Sequence, residues 1–288
     1  MMLRPWALDQ IERAIGVGVT RVYEGWAAAR EGRRAVYSRA GGGWTAVADR
    51  ASFLSGSWGF GCFGMPTGED LDEIEGVFDS VGQAAVIECG MQADQAALGL
   101  LRERGYVLKH TEVMLVRGLD GDLPKVPGVD GLRVRVIGRG DDALEAWALR
   151  EASWFCDHEA PEAGGPEPVA EELNASRVLL EAEGALTVVA ELDGEAAGIS
   201  RLFFDPVSLT REDGEPDLVA LIGASVRPCF RRRGIQSVLL RERLRIGRER
   251  AMRHARVGGY PAGPTERNAL RAGFGIGCYR LAFTRPSG

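Results

Sequence analysis

The stretch that decides the fold is Val226 to Gln236, which reads VRPCFRRRGIQ. It follows an almost wholly apolar run, Leu218 to Val226, of the kind expected for a central strand that is covered on both faces. It precedes Ile235 to Met252, in which leucines and arginines alternate at helical spacing. Pro228 cannot donate to a strand ladder and therefore ends the strand. Gly234 permits the turn that opens the helix.

A turn of this kind, between a strand and a helix, is suited to binding a pyrophosphate. The first N–H groups of a helix have no intrahelical acceptors, and the positive end of the helix dipole favours an anion. Arg231, Arg232 and Arg233 add positive charge beside those groups. An isolated run of three arginines is more often a solvated surface turn, but the strand, proline, glycine and helix around this one favour an anion site.

The pattern resembles the pyrophosphate loop of the GNAT N-acyltransferase superfamily, Val-x-Pro-x-x-(Arg/Gln)-x-x-Gly-x-(Gly/Ala). The residues that fit it are Val226, Pro228, Arg231 and Gly234. Gln236 departs from the pattern at its last position, where the backbone amide does the binding. The resemblance covers the second half of the chain, from Leu132 to Arg285, strand for strand.

This resemblance implies that acetyl-CoA binds as co-substrate and that no metal is needed. Backbone amides of residues 231–236 would bind the pyrophosphate, and the backbone around Ser225 would pair with the pantetheine arm. Asn268, which precedes the last helix-like stretch, would contact the pantetheine or the adenosine, although a helix cap is an equal alternative. The residues expected to bind the cofactor are Ser225, Val226, Arg231, Arg232, Arg233, Gly234, Ile235, Gln236 and Asn268.

The sequence leaves the identity of the general acid and of the general base open. Many family members carry a tyrosine after the asparagine as general acid, but residues 268–274 contain none, and the apolar strand 218–226 lacks the carboxylate that often acts as base. The weak candidates are Asp157, His158, Glu159 and Tyr279. Residues 157–183 hold eight acids against one arginine, which could attract a cationic amine, although such a run is more often a solvated face. Proximity with a water-relayed proton is the alternative to a side-chain base.

The chain of 288 residues is long enough for two domains. A Gly, Pro and Asp cluster predicts a linker at residues 120–130, between a degenerate GNAT-like domain (1–119) and an acetyl-CoA-binding GNAT domain (131–288). Both halves end with a Gly-aromatic pair followed by an apolar strand, which indicates a tandem repeat. The expected fold class is α/β: tandem GNAT folds, each a mixed, mostly antiparallel sheet flanked by helices.

The first half carries a literal G-x-G-x-x-G at Gly59 to Gly64. It lacks the preceding apolar strand and the immediate helix that a dinucleotide site requires. The helix that follows opens with the acidic sequence EDLDE, residues 69–73, which would repel CoA. The first copy is therefore expected to serve as a scaffold or as a wall of the acceptor pocket.

Composition narrows the function classes. A hydrophobic content of 45% is ordinary for a globular chain. A net charge of −6 argues against general nucleic-acid binding. No apolar run reaches membrane-spanning length, and the acids near the N-terminus do not suit a signal peptide, so a cytoplasmic location is expected. Five scattered cysteines fit neither a disulfide framework nor a zinc site. Residues 227–256 nevertheless hold eleven arginines against two glutamates.

The expected function is an N-acetyltransferase that moves an acetyl group from acetyl-CoA to an amine of a small molecule or peptide by direct attack. One alternative is a CoA-binding sensor or interaction module without turnover. A second is a mycothiol-synthase-like acetyltransferase, against which the missing helix tyrosine argues. Nucleic-acid binding through the arginine helix is a third, and a homodimer is left open.

Overall fold

The computed structural model describes residues 5–29, 35–48, 54–138, 140–204 and 218–285. The helices in these ranges are α1 (Pro5–Ala29), α2 (Gly68–Asp79), α3 (Gln95–Glu103), α4 (Leu144–Phe155), α5 (Ala170–Glu181), α6 (Ile235–Glu249) and α7 (Pro264–Arg271). The strands are β1 (Ala35–Ser38), β2 (Trp44–Ala48), β3 (Gly56–Trp58), β4 (Val86–Gly90), β5 (Val107–Gly118), β6 (Leu132–Ile137), β7 (Ala185–Leu192), β8 (Glu195–Phe204), β9 (Leu218–Val226), β10 (His254–Gly259) and β11 (Gly275–Thr284).

All these strands lie in one sheet, in the order β1-β2-β3-β4-β11-β5-β10-β9-β8-β7-β6. The expected mixed, mostly antiparallel sheet flanked by helices is confirmed. The last strand of each half is exchanged: β5 pairs with β10 and β11 pairs with β4. The centre of the sheet is the antiparallel pair of β5 with β11, which joins the two halves edge to edge.

The predicted linker, residues 120–130, lies between the end of β5 and the start of β6. It contains no helix or strand. Because β5 and β11 are exchanged, a division of the chain at the linker separates the last strand of each half from the strand of the other half with which it pairs. The division into domains 1–119 and 131–288 stays a prediction.

The two halves repeat the same unit, in which a helix connects two parallel strands. Helix α2 connects β3 to β4, and helix α6 connects β9 to β10. The last pair of β3 with β4 is Trp58 with Glu88, and the N–H of Gly59 donates to the Glu88 carbonyl over 3.2 Å as part of that pair. Strand β3 ends at this pair, so it has no further segment without a ladder.

Helices cover both faces of the second half. Helices α6 and α7 pack one face, in an apolar core that includes Leu239, Ala269 and Phe274. Helices α1 and α5 pack the opposite face, in a core that includes Ile15 and Val178. Helix α1 belongs to the first half of the chain, so the second half's sheet is covered partly by the first half.

Helix α6 confirms the prediction from its leucine and arginine spacing and ends three residues earlier than expected, at Glu249. Leu239, Leu240 and Leu244 are buried, and Arg241 is exposed. Arg243 departs from the pattern because it is buried and donates to the Arg201 carbonyl over 3.2 Å. Burial lowers the pKa of Arg243 to about 9. In the described ranges, no helix has the length and apolar character needed to cross a membrane.

Candidate active site

Strands β9 and β10 separate in the middle of the sheet. Their last parallel pair is Leu221 with Val257, yet β9 continues to Val226 and β10 to Gly259. Beyond the last pair the two strands share no ladder, so the sheet is open there. In the first half, by contrast, β3 ends at Trp58, the residue of its last pair with β4.

A cavity of about 940 Å³ passes through this opening and has walls on both sides of the sheet. On one side its wall includes Gln236 of α6 and Asn268 of α7. On the opposite side it is lined by α1 and α5, through residues such as Val19 and Leu179. Residues 222–224 of β9 form its rim. The first half therefore supplies one wall of a cavity whose opening lies in the second half.

A β-bulge in β9 lies on this rim. Ser200 pairs with Ala224 and Arg201 with Ile222, so Gly223 is the extra residue, with a φ of +52°. A Cβ at Gly223 would lie 2.9 Å from the Arg201 guanidinium, so both the conformation and the space favour glycine. Because the extra residue of a bulge is left out of the ladder, Gly223 presents backbone polar groups at the cavity wall.

A fully buried ion pair lies beside this bulge. The Arg201 guanidinium of β8 donates from two nitrogens to the two carboxylate oxygens of Glu151 in α4. Both side chains have 0% exposure. Since a buried charge without its partner is costly, the pair fixes α4 against the sheet next to Gly223.

The predicted pyrophosphate loop lies at the start of α6, next to the opening. Residues 228–230 form a single 3-10 turn, and Gly234, with a φ of +86°, is the N-cap of the helix. The N–H of Ser237 is bonded to the Gly234 carbonyl, so the N–H groups of residues 235 and 236 precede the first hydrogen bond of the helix. Arg232 and Arg233 are exposed beside these groups.

The side chain of Arg231 is directed toward β9 and α4 instead of toward these N–H groups. Its Nε donates to the Val226 carbonyl over 3.0 Å and its Nη2 to the Trp154 carbonyl over 2.9 Å. It also forms an ion pair with Asp157. The side chain of Arg231 thus ties the loop to the end of β9 and to the end of α4.

The acidic segment 157–159 contacts the arginines of the loop and not the cavity. Asp157 is held by Arg231, and Glu159 accepts from Arg227 Nε at 2.5 Å. His158 is exposed. None of the three described side chains lines the cavity.

The structure brings two of the predicted cofactor residues together. The Asn268 Nδ2 donates to the Gln236 Oε1 over 2.6 Å, and both residues line the cavity. The side chain of Ile235 is buried in the core, so its backbone amide is the group left for a ligand. Tyr279 packs against the core under α6 and α7 and is outside the described cavity lining.

Sequence reasoning missed a charged group in the cavity wall. Arg280 of β11 is bonded to Glu12 of α1 at 2.7 Å and to Glu88 of β4 at 2.6 Å, and it lies 3.3 Å from Glu112 of β5. Burial raises the pKa of Glu88, although Arg280 acts in the opposite direction. Charged residues inside the apolar runs of β4, β5 and β11 were the available signal.

The N-terminus of α2 in the first half is capped by side chains of the same segment. Asp70 accepts from the backbone N–H of Thr67 at 2.7 Å and of Gly41 at 2.8 Å, and the Thr67 hydroxyl accepts from the Asp70 N–H. These bonds hold the pKa of Asp70 below its usual value. The expectation that a carboxylate occupies this helix terminus agrees with the structure.

Residues 145–274 match the family model described as the Acetyltransferase (GNAT) family. This range contains the separated strands, the loop before α6 and the Asn268 to Gln236 contact. A comparison with curated proteins found no match.

Solved structures are similar over almost the whole chain. A GCN5-related N-acetyltransferase from Kribbella flavida has a TM-score of 0.62 and 16% identity, with 95% of this chain and 97% of that chain covered. A tandem GNAT protein from the clavulanic acid biosynthesis pathway has a TM-score of 0.60 and 14% identity, with 98% and 96% covered. A GCN5-related N-acetyltransferase from Sphaerobacter thermophilus has a TM-score of 0.55 and 15% identity, with 100% and 96% covered. At these identities the likeness shows the fold.

The separated strands and the glycine-capped helix lie within the residues that match the GNAT family model, and the fold of the chain is that of solved GNAT proteins. The length and strand topology of the chain also fit those of the solved tandem GNAT protein.

Proposed function

We propose that this protein is an N-acetyltransferase that moves the acetyl group of acetyl-CoA to an amine of a small molecule or peptide, with the amine attacking the thioester directly. The observation that carries the proposal is the opening between β9 and β10 after Leu221 and Val257. It joins the glycine-capped start of α6 to a cavity large enough for an acceptor.

The residues around the opening fit acetyl-CoA. The backbone amides at the start of α6 and the exposed Arg232 and Arg233 would hold the pyrophosphate. The edge of β9 from Gly223 to Val226 has no partner strand on the β10 side and would pair with the amides of the pantetheine arm. Acetyl-CoA supplies the activated acetyl group. In this account Arg231 positions the loop through Val226 and Trp154 and is not a phosphate ligand.

The described cysteines support direct attack rather than a covalent enzyme intermediate. The thiolate is the nucleophilic form of cysteine. Burial raises the pKa of Cys156 to about 11 and that of Cys278 to about 12, so both remain thiols at neutral pH.

We assign the first half to scaffolding and to the acceptor wall. Its strand β3 ends at its last pair with β4, so it offers no free strand edge like that of β9, and Asp70 accepts hydrogen bonds at the start of α2, where a phosphate would bind. Its helix α1 lines the cavity.

Binding of CoA without turnover is the second candidate. It is favoured by the placement of Asp157 and Glu159 in ion pairs and of Tyr279 outside the cavity lining, which leaves the expected acid and base groups away from the reaction. The test is thiol release from acetyl-CoA with a panel of primary amines, together with mass spectrometry of the amine. Acetylated amine supports the transferase. Tight acetyl-CoA binding without product from any amine supports the sensor.

A further inference from the structure

The acceptor end of the cavity carries a row of charged side chains on one face of the sheet. Strand register places Glu112 opposite Arg280, and Trp58 opposite Glu88, so all four side chains point to the face that α1 covers. Glu88, Glu112, Arg280 and Trp58 all line the cavity. The row runs across β3, β4, β11 and β5 and thus through the junction of the two halves.

The charge of this row is not balanced. The Arg280 guanidinium is shared by three carboxylates: Glu12 with 0% exposure, Glu88 with 13% and Glu112 with 31%. The more exposed pair, Glu88 and Glu112, reaches the cavity, whereas Glu12 of α1 is fully buried. When the three carboxylates are ionised, their negative charge exceeds the single positive charge of Arg280, and this excess favours a cation in the adjoining space.

Other charged residues also line the cavity: Arg21 and Glu24 of α1, Glu183 after α5, Arg243 and Arg256. Arg256 pairs with Val116, four residues along β5 from Glu112, which corresponds to about 13 Å of strand. Arg243 belongs to α6 on the other side of the sheet. His110, two residues before Glu112 on β5, has its pKa lowered by burial, so it adds little positive charge near pH 7.

Much of the rest of this wall is apolar. Ile15 and Val22 of α1, Leu179 of α5, Met114 of β5 and Phe203 of β8 line the same cavity. A ligand that fits both features has an apolar frame and one cationic end.

We propose that Glu88 and Glu112, both from the first half, bind the ammonium group of the acceptor and that one of them accepts its proton, so that the acceptor is a primary amine on an apolar frame. This inference rests on the proposed function. One ammonium proton passes to the carboxylate, the nitrogen forms its bond to the acetyl carbon, and the bond from that carbon to sulfur breaks. The second proton goes to the CoA thiolate, and the amide keeps the third.

The pH dependence follows from Glu88 and from the charged groups around it, which are Arg280, Glu112, Glu12 and His110. Burial raises the pKa of Glu88, and a carboxyl that is protonated cannot take up the proton of the amine. We expect kcat/KM to rise with pH as Glu88 loses its proton, and Glu112→Gln to lower or shift that rise.

The test uses the full chain and isothermal titration calorimetry with phenethylamine, hexylamine and spermidine, beside the uncharged 2-phenylethanol and hexanol. We expect at least one apolar amine to bind and its alcohol to bind at least tenfold more weakly. Glu112→Gln is expected to weaken amine binding by about tenfold to a hundredfold, because a charge-assisted hydrogen bond is lost. Glu112→Asp, which keeps the charge, should restore part of the affinity.

Glu103→Gln, at the exposed end of α3, is the matched control. Thermal melting of every variant guards against misfolding. The inference is overturned if no amine binds better than its alcohol, or if Glu112→Gln and Glu88→Gln both bind amine as the wild type does. Acetyl-CoA titration of the same samples keeps the two proposals apart, since a protein that binds acetyl-CoA but ignores amine charge refutes only this one.

Discussion

Leu221 and Val257 form the last pair that joins β9 to β10, and β9 continues beyond it to Val226, whereas β3 ends at Trp58, its last pair with β4. One unit of the repeat thus has a strand edge without a ladder where its helix begins, and the other has none. The same fold provides a cleft in one half and a wall in the other. The predictions below follow from this asymmetry.

Gly223→Ala should destabilise the protein and impair acetyl transfer. The residue has a φ of +52°, and an added Cβ would lie 2.9 Å from Arg201. A side chain in this conformation costs about 1–3 kcal/mol. Gly99→Ala is the control, because no atom lies within 4 Å of its added Cβ and the position is helical. Urea unfolding should show a loss for the first variant and a gain of about 0.5–1 kcal/mol for the second; equal stabilities would refute the strained bulge.

Glu151→Ala should lower the free energy of unfolding by about 3–5 kcal/mol, since it leaves the buried Arg201 guanidinium without its carboxylate. The double variant Glu151→Leu with Arg201→Met should recover much of that loss, because no charge is left buried. Chemical denaturation of the two variants measures the difference. A double variant less stable than Glu151→Ala would contradict this account.

Arg231→Ala and Asp157→Ala should each weaken acetyl-CoA binding by a similar, modest factor, since together they tie the loop to the end of α4. Their effects should not add in the double variant, as expected for residues in direct contact. Fluorescence or calorimetric titration with acetyl-CoA tests the cycle. Full additivity would show that Arg231 and Asp157 act separately.

Asp70→Asn should lower the stability at pH 7 by about 0.3–1 kcal/mol, because it removes the charge of the N3 residue of the capping box from the positive end of α2. The hydrogen bonds from Gly41 and Thr67 lower the pKa of Asp70 in the folded state. Its contribution is therefore present above the unfolded-state pKa near 3.9 and is lost as the pH falls through the lower folded-state pKa. The gap between wild type and variant in thermal melts should shrink below about pH 4. A gap that widens in acid would refute the assignment.

Local patterns allowed much of the second half to be predicted. The run Leu218 to Val226 is the strand it was expected to be, and Asp193 and Gly194 join β7 to β8 as a hairpin. The loop before α6 was found because its proline, glycine and arginines lie within eleven residues. These features depend on neighbours in sequence.

Long-range pairing determined what the sequence could not show. Strands β5 and β11 are both apolar runs, and nothing within either indicates that each pairs across the halves. For that reason the sequence could not predict that Arg280 contacts Glu88 or that both residues lie in the cavity wall. The direction of the Arg231 side chain depends likewise on Trp154, seventy-seven residues away.

The most direct test of the central claim is calorimetric titration of the full chain with acetyl-CoA. The account predicts one site per chain, its loss in Arg232→Glu with Arg233→Glu, and its retention in the matched pair Arg102→Glu with Arg241→Glu, which changes the same charge at exposed positions of α3 and α6. Unchanged affinity in the loop variant, or two sites per chain, would contradict the claim that the second half alone binds acetyl-CoA at the opening between β9 and β10.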